Sequence, residues 1–219
     1  MPSFFVTATG TDIGKTYVTA GLVRACRRRN RAVSALKPVV SGFDPLSPES
    51  SDSYALMEAL DLPSTSLERI SPWRFAAPLS PDMAAARENR TIDLADVEGF
   101  CREAVATQET VFIEGVGGVM VPLTAKYTVL DWMAALRLPL ILVTGSYLGT
   151  ISHTLTALGV VVRRELHVAC IVVNESDGST VPLGETAECI ARFSGGTTVA
   201  TLPRRAKDAD FDRLLGALI

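Results

Sequence analysis

The run Phe5-Val6-Thr7-Ala8-Thr9-Gly10-Thr11-Asp12-Ile13-Gly14-Lys15-Thr16 joins an apolar segment to a turn of small residues and then to a segment of helical period. A buried strand that passes through a glycine turn into a helix has the geometry that holds a phosphate chain. Consecutive backbone N–H groups curl round the oxygens, the helix N-terminus adds partial positive charge, and the lysine reaches the β- and γ-phosphates. The hydroxyl of the next residue, Thr16, suits Mg²⁺. The strict pattern G-x-x-x-x-G-K-[ST] is broken at its first position, where Thr9 stands. The competing explanation is a chance Gly-Lys-Thr in an ordinary strand–helix turn, which its place directly after the first strand disfavours.

The same alternation continues along the chain. Short apolar, β-branched runs occur at Phe4–Ala8, Ala32–Leu36, Thr110–Ile113, Pro139–Thr144, Val168–Val173 and Thr197–Leu202. Their continuous apolarity predicts strands buried on both faces, as in a parallel sheet. Helical period marks Thr16–Arg29, Ser53–Leu60, Leu94–Thr107, Val129–Leu136, Ile151–Arg164, Gly184–Phe193 and Ala209–Leu218. The expected fold is α/β: a P-loop NTPase-like parallel sheet with helices on both faces, in a single domain over residues 1–219. Between Ser41 and Arg90 the pattern lapses and six prolines gather, which predicts a long surface connection with short helices that helps to build the site.

Composition narrows the function. With 47% apolar residues and a formal charge of −3, the chain is expected to be ordered and to lack the cationic field of a nucleic-acid scaffold. No apolar stretch is long enough to span a membrane, and Met-Pro-Ser-Phe-Phe-Val-Thr-Ala lacks the blocks of a signal peptide. Cys26, Cys101, Cys170 and Cys189 form no CxxC pair, so reduced thiols and a cytoplasmic location are expected rather than a zinc site.

Two further strand ends carry chemistry. Lys37, in Leu36-Lys37-Pro38-Val39-Val40-Ser41-Gly42, is one of only four lysines against 17 arginines. Lysine there suits a compact charge that follows a moving phosphoryl group; a solvated lysine is the plainer alternative. Glu114, in Phe112-Ile113-Glu114-Gly115-Val116-Gly117-Gly118, puts a carboxylate at the C-terminal end of a buried strand, where ligands of open α/β sheets bind. It can hold Mg²⁺ while the glycines admit the phosphates to the backbone.

In that order the three stretches resemble the dethiobiotin synthetase family: T-x-x-G-K-T, K-P-V-x-S-G and E-G-x-G-G. Leu148-Gly149-Thr150-Ile151-Ser152-His153 is similar to the family's L-G-x-I-N-H, and Val173-Asn174 matches as well. The resemblance implies closure of a cyclic urea from 7,8-diaminopelargonate, CO₂ and ATP, with Mg²⁺. Lys37 and Lys15 would be the catalytic residues. Thr16, Asp52 and Glu114 would hold the metal. Asp12, Ile13, Gly14, Lys15, Thr16, Tyr17, Asp52, Glu114, Gly115, Val116 and Gly117 would contact the nucleotide, with Asn174, Pro203, Arg204 and Arg205 at the adenine. Thr11, Lys37 and Ser41 would touch the diamine or its carbamate, and Gly149 and Thr150 its carboxylate end, across a homodimer interface. His153 is expected to be packed or interfacial rather than a base.

The chain departs from the family at Ala8, Gly10 and Ser152. Gly10 also bears on the main alternative, a MinD/ParA-type switch ATPase, whose K-G-G-x-G-K-[ST] has a lysine there. In that alternative the stripe Phe211, Leu214, Leu215 and Leu218 would be a membrane-targeting helix. Asp208, Asp210 and Asp212 favour docking onto the sheet instead. An inactive ligand-binding module is weighed against the retained Lys15, Lys37, Asp52 and Glu114. The basic run Arg24–Arg31 is read as a solvated helix end, not an RNA site.

Overall fold

The structure, a computed structural model, describes residues 2–219. Six strands, β1 (Phe4–Ala8), β2 (Ser34–Leu36), β5 (Val111–Glu114), β6 (Leu140–Gly145), β7 (Val168–Asn174) and β8 (Val199–Leu202), form one sheet in the order β2-β5-β1-β6-β7-β8. Every pairing in it is parallel. β1 lies inside the sheet and both its faces are covered, which is why its five residues are all buried rather than alternating. Phe5 points to one side and meets the Trp132 indole edge-on at 4.8 Å; Phe4 points to the other and stacks on Phe112 at 5.8 Å.

The core therefore has two halves. One packs α1 (Lys15–Arg28), α2 (Asp52–Leu60) and α9 (Asp208–Leu218) against the face that carries Phe4, Val6 and Ala8. The other packs α5 (Leu94–Thr107), α6 (Val129–Leu136), α7 (Thr150–Arg163) and α8 (Leu183–Phe193) against the face that carries Phe5, Ile113 and Leu142. Phe211, Leu214, Leu215 and Leu218 are all buried, so the stripe of α9 docks within the fold. Gly21 admits this helix: a Cβ there would lie 2.0 Å from the Phe211 ring.

Two expectations need correcting. The segment after Lys37 is more ordered than a surface connection. β3 (Val39–Ser41) and β4 (Trp73–Phe75) pair in parallel, Val40 opposite Arg74, as a separate two-stranded sheet. α3 (Leu67–Ile70), α4 (Pro81–Arg87) and two 3-10 turns, at Pro48–Ser50 and Ser64–Ser66, complete it. Three-residue strands are too short to show a period, and proline hid them further. The basic run is also not merely solvated. Arg28 bridges Asp208 at 2.9 Å and Asp212 at 3.0 Å, Arg29 donates to the Asp212 carbonyl at 2.8 Å, and Arg27 reaches Asp61 at 3.1 Å. The run thus adds surface ion pairs from α1 to α9 and α2 while its arginines stay exposed.

Candidate active site

β1, β2 and β5 are neighbours, so the three motifs emerge side by side at the carboxyl ends of their strands, around a cleft of about 710 Å³. The first loop closes on Gly14, whose φ of 97° lies in the left-handed region. A Cβ at Gly14 would fall 2.4 Å from the Asn174 amide nitrogen, which donates to the Ile13 carbonyl at 3.0 Å. Lys15, the first residue of α1, sends its ammonium back over the loop to the carbonyls of Gly10 at 3.2 Å and Gly117 at 2.8 Å. Burial, reinforced by the nearby Lys37 ammonium, brings the Lys15 amine down to about 8.

Lys37 leaves the end of β2 and is 4% exposed. Its Nζ lies 2.6 Å from Glu114 Oε1 and 2.5 Å from Asp52 Oδ2. Thr16 donates its hydroxyl to the same Glu114 oxygen at 2.7 Å. Asp52 is brought in as the first residue of α2, which Ser51 caps by accepting the Tyr54 N–H. Burial opposes charge on Lys37, but the Glu114 and Asp52 carboxylates outweigh it and hold the ammonium above the ordinary lysine range. Burial likewise opposes charge on Asp52, and the Lys37 ammonium with its hydrogen bond outweighs it, holding the carboxyl below the usual range. Two polar atoms at this site are buried without a partner: Glu114 Oε2 and Ser41 Oγ.

The third loop packs on the first. Val119 donates to the Ala8 carbonyl at 3.1 Å, and a Cβ at Gly118 would stand 3.3 Å from the Gly10 backbone. Thr11, Asp12, Gly14, Lys15, Thr16, Lys37, Ser41, Asp52, Val116 and Gly117 all line the cleft. Pro78, Leu79, Pro81, Val121 and Pro122 add an apolar lining to the same cleft that sequence reasoning missed. The cluster of prolines was the available signal, since proline covers surface without offering an N–H.

Other expected residues lie outside this cleft. The Tyr17 ring packs edge-on against Phe211 at 5.4 Å. Gly115 sits over Phe5, where a Cβ would lie 2.9 Å from its ring. Asn174 is the last residue of β7, and Pro203, Arg204 and Arg205 follow β8; the Arg204 N–H donates to Glu175 Oε2 at 2.7 Å and its guanidinium pairs with Asp177 at 3.0 Å. Gly149 is the N-cap of α7. Thr150 is buried and spends its hydroxyl on the Gly145 carbonyl at 2.8 Å, so its side chain is not free for a ligand. The exposed His153 shares a hydrogen bond with the Tyr147 hydroxyl at 2.9 Å.

Residues 2–209 match the family described as an AAA domain. The chain is 50% identical over 203 residues to the ATP-dependent dethiobiotin synthetase BioD of Methylobacterium nodulans (strain LMG 21967 / CNCM I-2342 / ORS 2060), covering 89% of this chain and 90% of that protein. It is 44% identical over 227 residues to the protein of the same name from Phenylobacterium zucineum (strain HLK1), covering 100% and 95%. Solved structures share the fold at low identity. They include the Pyrococcus furiosus cell division ATPase MinD, with TM-score 0.60, 15% identity and coverage of 100% and 98%. A ParA family ATPase from Chlorobium tepidum TLS has TM-score 0.56, 18% identity and coverage of 99% and 90%.

Proposed function

The chain belongs to the dethiobiotin synthetase family, and from that premise we propose how its own residues serve the ATP-dependent closure of the ureido ring in biotin biosynthesis. One amine of 7,8-diaminopelargonate adds to CO₂ and loses a proton, giving a carbamate. A carbamate oxygen then attacks the γ-phosphorus and ADP leaves. The second amine attacks the carbamoyl carbon of the mixed anhydride, phosphate departs with the bridging oxygen, and the amine's proton is released. No bond to the protein forms, so the residues act by positioning and by charge.

Lys37 and Lys15 are the proposed catalytic residues. Lys37 stabilises the phosphoryl group as it passes from ATP to carbamate, and Lys15 holds the phosphates. The supporting observation is the buried Lys37 ammonium, 2.6 Å from Glu114 and lining the same cleft as Lys15. Thr11 and the unpartnered hydroxyl of Ser41 are proposed to meet the diamine or its carbamate.

The residues present suit Mg²⁺. Thr16, Asp52 and Glu114 offer only oxygen, and Glu114 Oε2 is buried with no partner. Asp52 and Glu114 supply two carboxylates, the number Mg²⁺ commonly takes beside substrate phosphate. Thr16, Asp52 and Glu114 would hold it, and when bound it supplies charge neutralisation on the triphosphate.

For the nucleotide, we assign the phosphates to the loop from Asp12 to Thr16 and the adenine to the strand ends at Asn174 and Pro203-Arg204-Arg205. Gly149 and Thr150 lie outside the cleft of their own chain. The turn they form at the N-terminus of α7 is proposed to take the carboxylate end of the substrate bound to a second copy in a homodimer, through the Gly149 N–H, since the Thr150 N–H is donated to the Tyr147 carbonyl at 3.0 Å. We read residues 1–219 as one domain that acts in the cytoplasm; among the described residues no helix is long and apolar enough to cross a membrane. The test is phosphate release from ATP with Mg²⁺ and bicarbonate. Release that depends on the diamine supports the reading, and release at the same rate without it refutes it.

A further inference from the structure

Four threonines, three buried and Thr9 half-buried, form a hydroxyl cluster beside the site. Thr9 follows β1, Thr144 lies near the end of β6, and Thr150 and Thr154 belong to the first turns of α7. Thr144 and Thr154 are fully buried and Thr150 nearly so. The Thr144 oxygen is 3.2 Å from Thr9 Oγ1, 2.9 Å from Thr150 Oγ1 and 2.8 Å from Thr154 Oγ1. Thr150 donates to the Gly145 carbonyl at 2.8 Å, and Thr154 to the Thr150 carbonyl at 2.7 Å. With those protons committed, Thr144 accepts from Thr9 and has Thr150 and Thr154, at nearly equal distance, as acceptors for its one proton. A strand buried on both faces has no packing need for a hydroxyl here.

We propose that Thr144 is a positioning residue whose hydroxyl ties the phosphate loop, through Thr9, to the first turns of α7, through Thr150 and Thr154. The nucleotide loop and the helix N-terminus then keep one fixed separation. The inference rests on the reading above for the role of that N-terminus toward the substrate carboxylate, and goes beyond it in naming what holds it.

The experiment compares the wild type with Thr144→Val, which keeps the branched shape, and Thr144→Ser, which keeps the hydroxyl. In the ligand-free protein, exchange of the Thr150 and His153 amides, which donate to the Tyr147 and Gly149 carbonyls, is expected to rise about fivefold in the valine variant, the effect of one lost hydrogen bond, and to stay within about twofold in the serine variant. Exchange in β7 is expected to stay unchanged in both. In turnover, the valine variant should raise KM for the diamine about fivefold with kcat within about twofold, and the serine variant should restore it. The proposal is overturned by unaltered exchange of the Thr150 and His153 amides in the valine variant, by a rise that extends into β7, or by an equal response in the serine variant. An unchanged KM in the valine variant overturns it too. Absence of diamine-dependent turnover in the wild type would sink the ring-closing reading alone, and the exchange comparison would still decide this one.

Discussion

Glu114 and Lys37 form an ion pair of 2.6 Å in which Lys37 lines the cleft and Glu114 is buried behind it, with side-chain exposures of 0% for Glu114 and 4% for Lys37. Such a pair is costly to desolvate and is weak support for a stability role. Its place at two adjacent strand ends, with Thr16 on the same carboxylate oxygen, is the arrangement on which the proposed phosphate chemistry rests.

Replacing Glu114 by Gln keeps the shape and removes the charge. The concentration of Mg²⁺ giving half-maximal phosphate release is expected to rise at least about tenfold. An unchanged Mg²⁺ titration would remove Glu114 from the metal site.

Lys37→Gln keeps a hydrogen-bond donor beside Glu114 and removes the mobile charge. We expect kcat to drop about 10²–10³-fold, the usual loss on removing one donor from a developing anion, with the circular dichroism spectrum and ATP affinity retained. Turnover near the wild-type rate would contradict the role given to this ammonium.

Lys15 sets a pH dependence. Its amine titrates at about 8 in the ligand-free protein against an ordinary value of 10.5, and bound triphosphate favours the charged form. Above pH 8 the complex therefore holds a proton that the free protein lacks, so ATP affinity should fall as pH climbs from 8 towards 10.5. Calorimetry at pH values above 8, in buffers of different ionisation enthalpy, should show proton uptake on binding. In Lys15→Arg that uptake should vanish. Folding has the opposite sign: the unfolded chain binds the extra proton in that window, so this group's penalty on the ligand-free fold is relieved as pH rises.

Gly21 carries a prediction confined to stability. Its Cβ would enter the Phe211 ring at 2.0 Å, so Gly21→Ala should force α9 off α1 and cost about 1–3 kcal/mol in urea unfolding. A variant as stable as the wild type would show that the ring has room to move.

Most of the sheet was readable because burial on both faces writes a strand as an unbroken apolar run, as at Phe4–Ala8 and Leu140–Thr144. Lys15, Lys37 and Glu114 were readable for a related reason: each ends or follows such a run, and the topology brings those ends together. The pairing of β3 with β4 was not, since three residues carry no period and the pairing is non-local. Nor could residue type alone separate Tyr17, turned onto Phe211, from its neighbour Thr16, turned onto Glu114. Adjacent positions on a helix face different ways, and only the packing of α9 shows which way is occupied. Thr150 illustrates the same limit, because its hydroxyl is consumed by Gly145 and the Thr144 cluster.

The central claim is that the γ-phosphoryl group passes to a carbamate held near Lys37 rather than to water. Turnover of the diamine with ATP, Mg²⁺ and doubly ¹⁸O-labelled CO₂, followed by mass analysis of the released phosphate, tests it most directly. The account predicts a single labelled oxygen in each phosphate and the other in the ring carbonyl. Phosphate formed in step with dethiobiotin but free of label would contradict it.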